Sequence, residues 1–310
     1  MDKVKSWWAA HGITKRRLIQ LYAALLYNAH VKGFIEGNIY TGPIKNICVP
    51  GFNCYSCPGA LGACPIGSLQ AVLASRDYGF SFYVIGFLMA VGALCGRLIC
   101  GFLCPFGLIQ DLLHKIPLPS KMKIRRIPAE KQIGYLRYII LLVFVILLPS
   151  LAVNIIGQGD PWFCKYICPS GTLMGGIPLV VIGDGFRAAA GALFDWKLLL
   201  LIFFVLFSIV YYRPFCRFIC PLGAIYGLAN PISLYRYKVL EDRCTQCGAC
   251  KRACKLGIDP VKAPNSPECI RCGECIRACP HSALISNLSL KKQKNAPCSG
   301  QCSKCKGCGR

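Results

Sequence analysis

Four long apolar runs constrain the fold of this chain more than any other feature. A helix needs about 20 apolar residues to cross the hydrocarbon core of a bilayer, and the runs cover residues 18–34, 80–99, 133–156 and 196–212. Charged residues make up only 16% of the chain, against roughly 25% in ordinary soluble domains. The sequence therefore predicts an all-α membrane protein with about four transmembrane helices, placed in the cell (inner) membrane.

Each apolar run is followed by a loop with a Cys-Pro dipeptide and then by a short apolar stretch. Proline is favoured in the first turn of a helix, and these stretches are too short to span a bilayer. They are predicted to be half-helices that begin just after a cysteine, at residues 65–75, 105–116, 169–182 and 221–228.

The loops also reveal an internal duplication. The segment ICGFLCPFGLI at 99–109 aligns with FCRFICPLGAI at 215–225, and ACPIGSL at 63–69 aligns with ICPSGTL at 167–173. Such an order is typical of two parallel repeats about an axis along the membrane normal. The predicted organisation is a basic N-terminus (1–17), membrane repeat 1 (18–117), a basic linker (118–132), membrane repeat 2 (133–232), a cysteine-rich domain (238–288) and a cysteine-rich tail (289–310).

Basic residues are distributed unevenly among the loops. The N-terminus and the 118–132 linker are rich in Lys and Arg, whereas the loops after the first and third runs carry few. Because cytoplasmic loops hold the Lys/Arg excess, both termini are predicted to be cytoplasmic and the cysteines of those two loops to lie at the opposite face. The formal charge of +23 does not indicate nucleic-acid binding, since no nucleic-acid fold motif accompanies it.

Eight cysteines in the 238–288 domain have the spacing of cluster ligands, Cys-x2-Cys-x2-Cys-x3-Cys twice. In that run the first three cysteines hold one [4Fe–4S] cluster and the fourth holds the other. The predicted ligand sets are Cys244, Cys247, Cys250 with Cys279, and Cys269, Cys272, Cys275 with Cys254. Two zinc sites are the weaker alternative, because zinc would not need the exchanged fourth cysteine.

An inner set of cysteines follows the second and fourth runs: Cys100, Cys104, Cys216 and Cys220. Two come from each repeat in the same Cys-x3-Cys-Pro motif, beside a predicted helix N-terminus that favours negative charge. Four thiolates complete one cluster, so a third [4Fe–4S] cluster is predicted here. The alternative, that they pack as small apolar residues, does not explain the matching motifs.

The outer set of cysteines is less regular. Its candidates are Cys54, Cys57, Cys64, Cys164 and Cys168, with Cys48 as a spare. Cys164 has no direct counterpart in the first repeat, where Ala60 stands. Any four of the five candidates would complete a further [4Fe–4S] cluster. Alternatively, Cys54 and Cys57 form a redox-active dithiol that faces an oxidising compartment.

Two further features leave alternatives open. The tail either holds one more cluster or acts as a thiol arm that docks a partner, through Cys298, Cys302, Cys305 and Cys308. His30 and Asn28, near the end of the first run, are either a quinone-head contact or satisfied interface residues. No dinucleotide fingerprint, Walker loop or hydrolytic triad is evident, so no catalytic residue is assigned.

These motifs resemble those of the NapH-like membrane ferredoxin family, whose relatives include the membrane portion of NosR and the assembly ferredoxin CcoG. The resemblance covers roughly residues 18–285 and rests on the apolar runs, the Cys-x3-Cys-Pro motifs and the paired four-iron signatures. It implies a small α+β dicluster ferredoxin domain and electron transfer from a cytoplasmic or quinol donor to an acceptor across the membrane. The outer cysteines and the tail depart from the family pattern.

The sequence thus predicts a transmembrane electron-transfer protein, a component of an oxidoreductase system. [4Fe–4S] clusters would carry electrons from a cytoplasmic, ferredoxin-like donor to an acceptor at the outer face, such as a flavoprotein, a thiol protein or a reductase. Membrane lipid is a predicted partner, and quinone stays open. Three alternatives remain: a thiol-reducing protein that uses outer cysteines, a quinol dehydrogenase subunit, and an Fe–S assembly or redox-sensing protein.

Overall fold

The computed structural model describes residues 15–75, 82–119, 122–124, 127–154 and 158–288. Most of the basic N-terminus and the tail with its four cysteines lie outside the described residues. The described chain is mostly helical, with one two-stranded sheet. A single hydrophobic core contains residues from both halves of the helical part, here called the first half (15–119) and the second half (127–232).

The helices follow the predicted order of long and short segments. The first half contains α1 (Lys15–Tyr27), α2 (Lys32–Glu36), α3 (Pro65–Ala74), α4 (Phe82–Cys95), α5 (Leu98–Phe102) and α6 (Pro105–Leu113). The second half contains α7 (Gln132–Leu151), α8 (Pro169–Ile182), α9 (Asp184–Ala188), α10 (Ala192–Val210), α11 (Pro214–Phe218) and α12 (Pro221–Ala229). Stretches of α7 and α8 are π-helical, at Leu141–Leu147 and Thr172–Gly176.

Two of the described helices, α7 and α10, are long and apolar enough to cross a membrane. Large apolar side chains of α10, such as Leu199 and Leu206, are exposed, which suits a lipid-facing surface. The second predicted span is the shorter α4, and the first is divided between α1 and α2. Asn28 lies at this division, where its amide donates to Ala24 O (2.9 Å) and to Asn53 Oδ1 (3.1 Å). The four-span arrangement therefore stays a prediction.

The four half-helices share one local design. Each begins with a proline at its first turn, after a cysteine in extended conformation at the N-cap: Cys64, Cys104, Cys168 and Cys220. In three of the four, at Cys104, Cys168 and Cys220, the cysteine sulfur accepts the backbone N–H of a glycine three residues later, for example Gly107 (3.3 Å) and Gly223 (3.4 Å). In the sequence Cys-Pro-x-Gly, a backbone N–H of the first helical turn, which has no partner within the helix, therefore points at the cysteine sulfur.

The C-terminal domain is small and packs on the helical part. Its antiparallel strands are β1 (Tyr237–Val239) and β2 (Leu284–Ser286), and its short helices are α13 (Ala249–Ala253) and α14 (Glu274–Arg277). Backbones meet at the junction, because a Cβ at Gly101 would lie 2.4 Å from Ile270 O. Only glycine permits this approach.

Candidate iron-sulfur centres

The eight cysteines of the C-terminal domain divide between two small cavities. One cavity is lined by Cys244, Cys247, Cys250 and Cys279. The other is lined by Cys254, Cys269, Cys272 and Cys275. Each set takes three cysteines from one run and the fourth from the other, which is the exchange that the spacing predicts.

The two cavities differ in their surroundings. Cys247 in the first is exposed, and we call that set the distal centre. Cys254 and Cys272 in the second pack against the core that contains Cys100, and we call that set the proximal centre. Among the described residues, no three His, Cys, Asp or Glu side chains are arranged for a single metal ion, so the grouping follows from the cavities that the cysteines line.

The predicted inner set also comes together. Cys100, Cys104, Cys216 and Cys220 are all buried in the core, and their thiols lie within electrostatic range of one another. We call these four the inner centre. Two of them, Cys104 and Cys220, are N-caps of α6 and α12. Four buried thiols, two of which accept a backbone N–H at a helix N-terminus, match the ligand set of one [4Fe–4S] cluster.

Two buried arginines connect the halves at the inner centre. Arg97 Nη2 donates to Cys216 O (3.0 Å), and Arg213 Nη1 donates to Cys100 O (2.6 Å). Each arginine is three residues before the first inner cysteine of its own half and reaches the first inner cysteine of the other. These cations are 1% and 0% exposed, so they offset the negative charge of a thiolate-ligated centre without competition from water. Sequence analysis missed them, although the matched Arg-x2-Cys spacing was visible.

The two arginines have different carboxylate partners. Arg213 forms two hydrogen bonds of 2.7 Å with Asp111 of α6. Arg97 pairs instead with Glu268 of the C-terminal domain (3.2 Å), which also pairs with Arg137. Burial alone would raise the pKa of the Glu268 carboxyl, but the nearby Arg97 and Arg137 hold that pKa below its usual range. The ferredoxin-like domain thus docks through a buried ion-pair network.

The outer cysteines leave one clear set of four. A cavity of about 270 Å³ is lined by Cys54, Cys64, Cys164 and Cys168, but not by Cys57. We call these four the outer centre. Cys57 and Cys48 are buried elsewhere. Cys54 thus supplies the thiol that the first half lacks at Ala60, and Lys197, which also lines the cavity, donates to Cys164 O (3.2 Å).

A short backbone segment connects the inner and outer centres. The backbone N–H of Phe52 lies close to the Cys104 thiol of the inner centre, and that of Asn53 lies close to the Cys64 thiol of the outer centre. Adjacent backbone nitrogens are roughly 4 Å apart. The two thiols therefore lie beside consecutive residues and not a bilayer thickness apart, because the half-helices of both kinds begin in one core.

Four phenylalanines fill the space beside this segment. Phe52 lies near Phe106, Phe163 and Phe215, with ring centroids 5.6 to 6.4 Å away. Phe106 and Phe215 lie next to the inner centre in sequence, whereas Phe52 and Phe163 lie next to the outer centre. All four rings are buried, so the medium between the two centres is dry and closely packed.

The remaining polar candidates of the first run have local partners. His30 Nδ1 lies 3.1 Å from Pro58 O, and the Asn28 amide bonds within the protein. These contacts favour the interpretation of His30 as a satisfied interface residue, whereas Asn28 bonds only through its amide nitrogen and its Oδ1 is buried without a hydrogen-bond partner among the described residues.

Comparison with known proteins indicates that the chain is of a 4Fe-4S binding type. The 4Fe-4S binding domain Fer4_5 matches residues 77–126, 135–180 and 196–236, and the 4Fe-4S binding domain Fer4 matches residues 265–285. The ferredoxin-type protein NapH of Haemophilus influenzae is 27% identical over 59% of this chain and 56% of its own length. The chain belongs to the NapH-like family of ferredoxin-type 4Fe-4S proteins.

Other relatives of this NapH-like chain cover different shares of it. The methylamine utilization ferredoxin-type protein MauN of Paracoccus denitrificans is 30% identical over 54% of the chain and 50% of its own length. An uncharacterized protein of Methanocaldococcus jannaschii is 26% identical over 74% of the chain and 88% of its own length. The chain thus spans about half the length of NapH and MauN. No solved structure matches it.

Proposed function

We propose that this NapH-like protein carries electrons across the membrane, from a cytoplasmic, ferredoxin-like donor to a redox partner at the outer face. [4Fe–4S] clusters, when bound at the four centres, supply the one-electron chemistry. The observation that carries the proposal is the continuity of the four cysteine sets. The protein's own contribution is to hold these sets in contact, to exclude water between them and to balance their charge.

The entry point that we propose is the C-terminal domain, where Cys247 of the distal centre is exposed. A basic cavity of about 770 Å³ lies beside the proximal centre, lined by Lys123, Lys251, Arg252 and Lys255 together with Cys254. No carboxylate lines it among the described residues. Positive patches speed the association of negatively charged partners, so this surface suits an acidic donor protein.

The middle of the path depends on the docked junction. Ile270 of the C-terminal domain packs in the same core as Cys100, and Arg271 Nη1 donates to Cys95 O (2.9 Å). From the inner centre, Phe52 and Asn53 lead to the outer centre. The membrane orientation, with both termini cytoplasmic and four spans, is part of the proposal and is supported by the Lys/Arg bias of the loops.

Iron content and EPR of anaerobically purified protein test this proposal. Four centres predict about sixteen irons per chain, and a loaded tail would raise this to about twenty. Cys216→Ser should remove about four irons together with one set of EPR signals. About eight irons, with signals from the ferredoxin pair alone, would refute the electron path.

One observation favours a second candidate function. Cys57 lies outside the outer cavity but follows Cys54 closely, with its N–H donating to Cys54 O (3.2 Å). A thiol-reducing protein would exchange disulfides at this pair. It predicts that reduced holoprotein is alkylated at Cys54 and Cys57 without prior removal of iron, whereas a ligand Cys54 is alkylated only after iron is stripped.

A further inference from the structure

Two buried glutamines occupy equivalent positions in the first half. Gln70 of α3 follows Cys64 by six residues, and Gln110 of α6 follows Cys104 by six residues. Their exposed fractions are 0% and 2%. Neither residue belongs to a cysteine motif, and the path of electrons alone does not require them.

Both side chains donate to a sulfur atom of the opposite half. Gln110 Nε2 lies 3.0 Å from Cys216 Sγ of the inner centre. Gln70 Nε2 lies 3.2 Å from Cys164 Sγ of the outer centre. In each case the acceptor is the first cysteine of a Cys-x3-Cys-Pro motif. The same bond therefore occurs at both centres.

The surroundings fix which end of each amide faces the sulfur. Gln70 Oε1 accepts the Phe163 N–H (3.0 Å), which leaves Nε2 for Cys164. Gln110 Nε2 also lies 3.5 Å from Phe106 O. A flipped Gln110 would place its oxygen against both that carbonyl and a thiolate, and two acceptors cannot bond to each other.

The second half has no counterpart to these donors. Met174 and Tyr226 occupy the aligned positions. Tyr226 donates its hydroxyl to Pro50 O (3.1 Å), and Met174 Sδ lies 3.4 Å from Ser170 Oγ. Within the described part of the chain, each centre thus receives a glutamine N–H from the first half and none from the second.

We propose that Gln110 and Gln70 are positioning residues that raise the reduction potentials of the inner and outer centres, respectively. Hydrogen bonds to cluster sulfurs are one of the levers that set such potentials. A reduced cluster carries one more negative charge than an oxidised one, so an N–H donor stabilises the reduced state more. The inference rests on the proposed function, since it requires that the two centres bind clusters.

The test is an EPR-monitored redox titration of the full-length holoprotein with Gln110→Met. Methionine keeps the size of the side chain, lacks the N–H donor and already stands at position 174, which aligns with Gln70. We expect the inner centre to become harder to reduce by about tenfold, equivalent to 59 mV for one electron, while the outer centre keeps its potential. Gln70→Met should shift the outer centre and spare the inner one.

Tyr226→Phe is the matched control. It removes a buried hydroxyl at the position aligned with Gln110, but that hydroxyl does not bond to sulfur, so neither potential should move. Gln110→Leu, which also lacks the N–H donor, replaces Gln110→Met in the titration if the methionine variant does not fold and bind its clusters.

The outcomes separate the two levels of the proposal. Suppose that the unaltered protein and Gln110→Met both contain about sixteen irons. If the potential of the inner centre is then unshifted in Gln110→Met, or shifts equally in Tyr226→Phe, the role of the glutamines alone is overturned. About eight irons in the unaltered protein would instead overturn the proposed function on which it rests.

Discussion

Replacement of Glu268 by glutamine tests how the ferredoxin-like domain is held. Glu268 bridges Arg97 and Arg137, which are each 1% exposed, while its own side chain is 32% exposed. Glu268→Gln keeps the size of the side chain and one carbonyl oxygen but removes the charge. Both arginines then remain buried without a carboxylate from the docked domain.

The magnitude follows from burial. Breaking a fully buried ion pair by removal of one partner costs about 3–5 kcal/mol. Because Glu268 is one third exposed, solvent screens part of this interaction, and we expect a loss of about 2–3 kcal/mol. That loss corresponds to a roughly 30- to 140-fold increase in the undocked population.

Amide hydrogen exchange of the anaerobic holoprotein measures that population. Peptides from both sides of the junction, around Gly101 and Ile270, should exchange faster by that factor, while α10 should be unaffected. Asp259→Asn is the matched control, because Asp259 pairs with Lys251 (3.3 Å) at the surface, where Lys251 is 50% exposed. An exposed pair contributes about 1 kcal/mol or less, so less than about fivefold is expected. Equal exchange in the two variants would refute the docking role of Glu268.

Three further predictions concern the centres and the charges around them. Cys54→Ser should lose about four irons, whereas Cys57→Ser should keep all of them; iron analysis distinguishes the two, and equal loss would mean that the outer centre is assigned wrongly. Lys255→Glu should slow reduction by an acidic donor protein about tenfold at low salt and less at high salt, with the exposed Lys238→Glu, outside the basic cavity, as the control in stopped-flow assays. Asp111→Asn should destabilise the helical part by about 3–5 kcal/mol in chemical unfolding, because Arg213 and Arg16 lose their buried partner, whereas exposed Asp184→Asn should change stability little.

Local spacing predicted the parts of the molecule that depend on neighbouring residues. Cys254 and Cys279 each belong to the ligand set of the other run's cluster, and this follows from the Cys-x2-Cys-x2-Cys-x3-Cys spacing alone. The half-helices follow from Cys-Pro, because proline at the first turn and an extended cysteine before it fix the start of a helix. These features need no knowledge of which helices lie side by side.

Features that depend on tertiary packing were not predictable in this way. Cys54 and Cys57 are equally plausible ligands by spacing, and only the fold shows that Cys54 lines the outer cavity and Cys57 does not. Hydropathy likewise averages over Asn28, whose amide bonds to Asn53 and ends α1 inside an apolar run. The Cys216 carbonyl that Arg97 contacts and the cysteine sulfurs that Gln70 and Gln110 contact are all more than 90 residues away in sequence.

The duplication explains why the C-terminal domain carries a buried carboxylate. Each half buries one arginine beside the inner centre, and each buried arginine requires a carboxylate. The first half supplies Asp111 to Arg213 of the second half, but at the aligned position the second half has Gly227 and therefore no carboxylate for Arg97. A Cβ at Gly227 would lie 3.2 Å from Pro267 O, so the missing side chain leaves the space through which the docked domain brings Glu268 to Arg97. Charge balance at the inner centre and attachment of the proximal centre thus depend on the same residue, and a chain with an undocked ferredoxin-like domain would have both a gap in its electron path and an unpaired buried arginine.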